Sequence, residues 1–201
     1  MFPRTLASFP SAYTPATPMN DLLSTLTQTL RPYVADALSA QTDLDADTAA
    51  EAVPAVASPL VDGLRRVLRD PSGNIGTLTD LYRFVTADDK PTDPAAATPA
   101  SEGDTALNLA ESLLDGPIGS LVDHVAAQLG VSPDAADLAV RVVVPKAFAV
   151  LRGTAQDQGF DELLRLVLDD EAEGQVETIL GLIRGADQAG SIMKGLGGLF
   201  S

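Results

Sequence analysis

The chain has 201 residues, enough for one sizeable domain or two small ones. Its formal net charge of −15 repels phosphate backbones and anionic lipid over most of the surface. With no cysteine, disulfides and thiolate metal sites are excluded, and a single histidine excludes a His-rich metal site. Hydrophobic residues make up 45% of the chain but aromatics only 4%. The core must therefore be built from Ala, Val and Leu, which suits close helix packing better than a sheet sandwich.

Residues 1–18, MFPRTLASFPSAYTPATP, have one Arg and no apolar run of secretory-signal length. Prolines and scattered hydroxyls make this stretch an extended, weakly ordered arm, expected to be dispensable. Met19 then offers an alternative start, with Asn20 as a helix cap. Helices are expected over Asn20–Leu30 and Pro32–Ala40. Asp45–Leu68 forms a longer helix, broken or kinked by Pro54 and Pro59. Asp70–Asn74 makes a turn and Leu78–Val85 a short helix.

Residues 87–104, ADDKPTDPAAATPASEGD, have almost nothing to bury and are expected to form a linker or exposed loop. Beyond them Thr105–Leu114 is helical, and Gly116-Pro117 breaks it. Over Ile118–Leu129, the residues Ile118, Leu121, Val122, Val125 and Leu129 form one stripe at helical spacing. Gly130 is the expected stop. Ser132 caps the next helix, with Pro133 at its first position, and that helix runs to about Arg152. Asp161–Leu168 and Gln175–Ile183 complete the set. No convincing strand is found, and no segment reaches the roughly 20 uninterrupted apolar residues that span a bilayer.

The helix–corner–helix stretch His124–Val143 looks at first like a DNA-reading unit. A recognition helix, however, needs basic or amide side chains on its outer face near its N-terminus. Here that turn supplies Asp134 and Asp137, and the rest is Ala and Val nearly all round, as in a buried helix. The corner instead marks an internal repeat. At a fixed offset of 87 positions Asp36, Ala40 and Gln41 fall on Asp123, Ala127 and Gln128. Leu44 falls on Val131, the caps Asp45 and Ser132 coincide, and Leu64-Arg65 falls on Leu151-Arg152. Leu44 and Val131 should then be buried plugs of equivalent corners.

The expected architecture is thus an all-α multihelical bundle of two related helical repeats joined by a long Pro/Ala/Asp-rich linker. Its parts are an arm (1–18), repeat one (19–86), linker (87–104), repeat two (105–186) and a Gly-rich apolar tail (187–201). The segments ALSAQTDLDADTAAEAVPAVASPLVDGL (37–64) and HVAAQLGVSPDAADLAVRVVVPKAFAVL (124–151) resemble the YidB-like bacterial proteins. That family shows a helix, a Gly-apolar-Ser/Asp corner, and a Pro-interrupted helix. The tail AGSIMKGLGGLFS is similar to the Gly-Leu tails of the same family. The resemblance implies an all-α fold and a cytoplasmic bacterial protein, and implies no activity.

Little in the sequence carries chemistry. His124 sits about 120° from the apolar stripe of its helix and is expected on the solvated surface. Asp43, Asp45 and Asp47 imitate the start of a calcium loop, but Thr48 and Pro54 stand where that loop needs Gly and Glu. The acidic run Leu168–Gly174 reads as a solvated loop. No phosphate-cradling loop, dinucleotide fingerprint or nucleophile elbow is present. No catalytic, cofactor-binding or metal-binding residue is therefore assigned, no cofactor is expected, and nucleic acid is not an expected partner.

In the tail, Ile192, Met193, Leu196, Leu199 and Phe200 recur at helix-like intervals; the tail docks on its own core, frays, or presents these residues as the candidate surface for a protein partner or self-association. The expected function is a non-enzymatic helical protein acting through protein contacts. The alternative is an enzyme, or a small-ligand or lipid-binding protein, using a groove between the two repeats.

Overall fold

The computed structural model describes residues 19–42, 44–87, 91–168 and 174–185, and all regular structure among them is helical. In chain order the helices are α1 (Met19–Ser39), α2 (Ala46–Arg69), α3 (Ile75–Val85) and α4 (Pro99–Leu114). They continue with α5 (Ile118–Leu129), α6 (Pro133–Gln158), α7 (Phe160–Leu168) and a final α8 over 174–185. The protein is an all-α bundle.

Its two long helices, α2 and α6, pack against each other, and the shorter helices pack around them. The Ala/Val composition of α6 explains its place. Every residue from 142 to 149 is buried, so this helix has no polar face to offer solvent there. Small side chains let α1, α4 and α5 approach it closely. One continuous apolar core runs from Leu22 in α1 to Ile183 in α8.

The starts of the two long helices follow the same local chemistry. The Asp45 carboxylate accepts from the Thr48 N–H at 2.9 Å, and the Ser132 hydroxyl accepts from the Ala135 N–H at 3.3 Å. Each satisfies a first-turn donor that has no helical partner. Ala46 and Pro133, the first residues of α2 and α6, are 87 positions apart. Gly130 closes α5 in the left-handed region at φ 67°, as its position in the sequence predicts.

Three expectations change. The predicted helices Asn20–Leu30 and Pro32–Ala40 are one helix, with Pro32 inside it. The carbonyl that Pro32 leaves without a donor belongs to Gln28, and both residues are exposed, so water can take the donor's place. Helix α2 likewise runs unbroken through Pro54 and Pro59. Leu44 and Val131 are half-buried rather than buried plugs. The first corner is longer, spanning residues 40–45, against 130–132 in the second. Val131 packs against the core from its half-buried position.

The stretch with linker composition behaves differently along its length. Residues 91–98 lie as a strap along α6. Lys146 donates to the carbonyls of Pro94 (2.7 Å) and Ala97 (3.2 Å), and Arg152 Nη1 donates to Pro91 O at 2.6 Å. Ala97 is fully buried. From Pro99 the chain is already α4, six residues before the predicted helix start, with proline suited to a first helical position.

Candidate functional site

A trough follows the seam between α2 and α3 on one side and α4 and α5 on the other. Its first part is a cleft of about 370 Å³ between Asp80, Arg83 and Phe84 of α3 and Thr105, Asn108 and Ser112 of α4. Asn108 and Ser112 also line the next part, a wider basin of about 830 Å³ opposite Arg66, Asp70 and Asn74. Arg66 in turn borders a third depression of about 520 Å³, where Ser58 and Asp62 of α2 face His124 and Gln128 of α5.

The chemistry of this trough is mostly that of helix ends. Arg66 Nη2 donates to the Leu113 carbonyl at 2.7 Å, in the last turn of α4, where helical donors run out. The Glu111 carboxylate accepts from the Ile118 N–H at 2.9 Å and so caps the start of α5. Asp115 stands between those two helices at φ 55°, a left-handed conformation that Asp tolerates better than most residues. Asp70 accepts from the Gly73 N–H, and the Asn74 side chain donates to the Asp70 carbonyl. The Ser112 hydroxyl donates back to Asn108 O. These groups shape turns while leaving a polar, open surface.

The buried cations lie elsewhere. Arg65, Lys146 and Arg152 have relative exposures of 8%, 7% and 0%. Arg65 Nε donates to Val167 O at 3.3 Å, and Arg152 Nε donates to Phe84 O at 3.1 Å. The Arg152 guanidinium also lies over the Phe84 ring, 4.5 Å from its centroid. Lys146 Nζ sits 5.9 Å from the Tyr33 ring centroid, and burial pushes its pKa down while nearby Asp93 partly offsets this. Charge placed in an apolar interior is costly unless it is hydrogen-bonded. Main-chain carbonyls at helix ends and in the strap supply such bonds, although Arg65 Nη2 is buried without a partner among the described residues. Sequence reading missed this role, although the pairing of Arg65 with Arg152 at the fixed offset was a signal.

His124 is exposed, as expected from its place on the helix, and Asp123 is exposed as well. Asp45 spends its carboxylate on the α2 cap, and its pKa is lowered chiefly by the Thr48 N–H. Asp43, residues 169–173 of the acidic run, and the tail residues Ile192, Met193, Leu196, Leu199 and Phe200 lie outside the described residues. Among the described residues no cluster of three or more His, Asp or Glu could hold a metal ion, and no helix is long and apolar enough to cross a membrane.

No curated protein and no solved structure matches the chain. Residues 111–201, from the end of α4 through α8 and the tail, are similar to the family described as "Bacterial protein of unknown function (DUF937)".

Proposed function

We propose that this is a non-enzymatic bacterial protein, akin to the YidB-like proteins, that acts in the cytoplasm through contacts with other proteins, self-association among them. One observation carries the reading. The charged side chains that the fold buries, Arg65, Lys146 and Arg152, donate to main-chain carbonyls of the chain itself. Their role is to hold helices and strap in place, and the helix-end groups along the trough do the same. What the fold offers outward is a polar trough on a strongly acidic body, a surface suited to another protein rather than to nucleic acid.

The apolar residues of the tail, Ile192, Met193, Leu196, Leu199 and Phe200, supply the self-association surface in this reading. Sedimentation over a wide concentration range should show reversible assembly of the full chain. Removal of 187–201 should abolish it. A chain that stays monomeric at all concentrations, and that retains no protein when cross-linked in its native cell, would sink the proposal.

The trough itself favours a second reading, a small-ligand site between the two halves. Asp62, Asp70 and Asp115 bring carboxylates to its rim. Saturable binding of a cationic or polar metabolite, weakened by Asp62→Ala or Asn108→Ala, would establish it.

A further inference from the structure

The two buried arginines occupy the same place in two crossed contacts. Arg65 belongs to α2 and donates to Val167, the penultimate residue of α7. Arg152 belongs to α6 and donates to Phe84, the penultimate residue of α3. Both acceptors are last-turn carbonyls, which lack helical donors and form the negative end of the helix dipole. Each arginine thus reaches out of its own half of the chain and closes the end of the short helix belonging to the other.

The packing around them also crosses between the halves. Helix α1 packs on α6 as well as on α2, and α5 packs on α2 as well as on α6; α3 packs mainly on α6, and α7 packs on α2 as well as on α6. Core positions of α2 and α6 that are 87 residues apart match in several places. Ala49 and Ala136, Ala52 and Ala139, Val53 and Val140, and Val56 and Val143 are all completely buried. The short helices also touch directly, with Tyr82 of α3 edge-on to Phe160 of α7 at 5.1 Å between ring centroids.

We propose that Arg65 and Arg152 are a reciprocal pair of latches, and that the chain is built as an intramolecular dimer in which each half locks the other. The geometry has a consequence that a set of unrelated packing contacts would not have. Removing a latch frees a helix end in the opposite half, not in the half that carries the substitution. A simple bundle in which each arginine only fills local space would loosen around the substituted residue.

Hydrogen exchange read peptide by peptide on the full chain separates these cases. In Arg65→Met, amides of α7 should exchange at least about tenfold faster relative to those of α2, with α3 changed less than about twofold. In Arg152→Met the pattern should reverse, with α3 released and α7 held. Arg65→Lys and Arg152→Lys keep a cation without the guanidinium fork, and should show the same crossed direction if a Met variant does not fold. Loosening confined to the substituted half, or equal in α3 and α7, would overturn the proposal. So would loss of folding in both Arg152 variants while both Arg65 variants fold normally, because the fold would then rest on Arg152, with its further bond to Pro91, and not on a reciprocal pair.

Discussion

Gly63 and Leu113 set the distance between α2 and α4. A methyl group built on Gly63 would lie 2.5 Å from the Leu113 carbonyl oxygen, and one turn on, Arg66 donates to that same oxygen. The absence of a side chain at 63 is what lets the two helices cross there and seats the floor of the trough.

Gly63→Ala should therefore destabilise the protein by about 1–3 kcal/mol, the usual cost of overpacking a close contact. Gly119, in an exposed part of α5, has nothing within 4 Å of the equivalent position. Gly119→Ala should instead stabilise by up to about 1 kcal/mol through helix propensity. Chemical denaturation of both variants measures the difference in sign.

At the corner between α5 and α6, Gly130→Ala forces an L side chain into the left-handed region and should cost about 1–2 kcal/mol. In the turn after α4, Asp115→Gly moves in the opposite direction and should leave the thermal midpoint unchanged or raise it. Calorimetry of the two variants provides the check.

Val131→Asp should cost about 1–2 kcal/mol, less than a fully buried plug would, because the side chain is only half-buried. Leu44→Asp, on the longer corner, should cost no more than that. Ser132→Ala should cost about 1 kcal/mol for one lost N-cap. Equilibrium unfolding in urea distinguishes them, and a Leu44→Asp penalty far above that of Val131→Asp would contradict the difference between the corners.

Lys146→Met leaves the carbonyls of Pro94 and Ala97 without their donor and should release the strap. Limited proteolysis should then cut within residues 91–98 at least several-fold faster, while α6 remains protected. Equal cleavage rates in variant and parent would show that the strap is held by something other than Lys146.

The Asp45 cap gives an acid-side signature. Its folded pKa is lowered below 3.8, chiefly by the Thr48 N–H, so the charged cap stabilises the fold above that value. The contribution is lost as pH falls through the lowered folded pKa. In Asp45→Asn the amide can still cap but cannot titrate. The stability difference between parent and variant should be constant from pH 7 to about 5 and change only below about 4.

Local signals in the sequence carried much of this fold. Asp45, Ser132 and Gly130 mark helix ends because each satisfies or terminates a backbone pattern by itself. Tertiary context decided the rest. Pro32 does not end a helix, because the carbonyl it strands belongs to exposed Gln28. Residues 91–98 have the composition of a loose linker, yet Lys146 and Arg152, some 50 to 60 residues later, seat their carbonyls on α6. The trough was foreseen only as a groove between halves. Its lining depends on how closely α4 crosses Gly63, and no local periodicity contains that information.

The central place of α6 also sets an order of events during synthesis. The hairpin of α1 and α2 leaves the ribosome long before Pro133–Gln158, the helix that covers its apolar face. At roughly 5–20 residues per second, the nascent chain waits several seconds to more than ten with Leu22, Leu60 and Leu64 uncovered. A ribosome-associated chaperone that shields aliphatic surface should therefore engage chains stalled after α2 and release chains stalled well after α6.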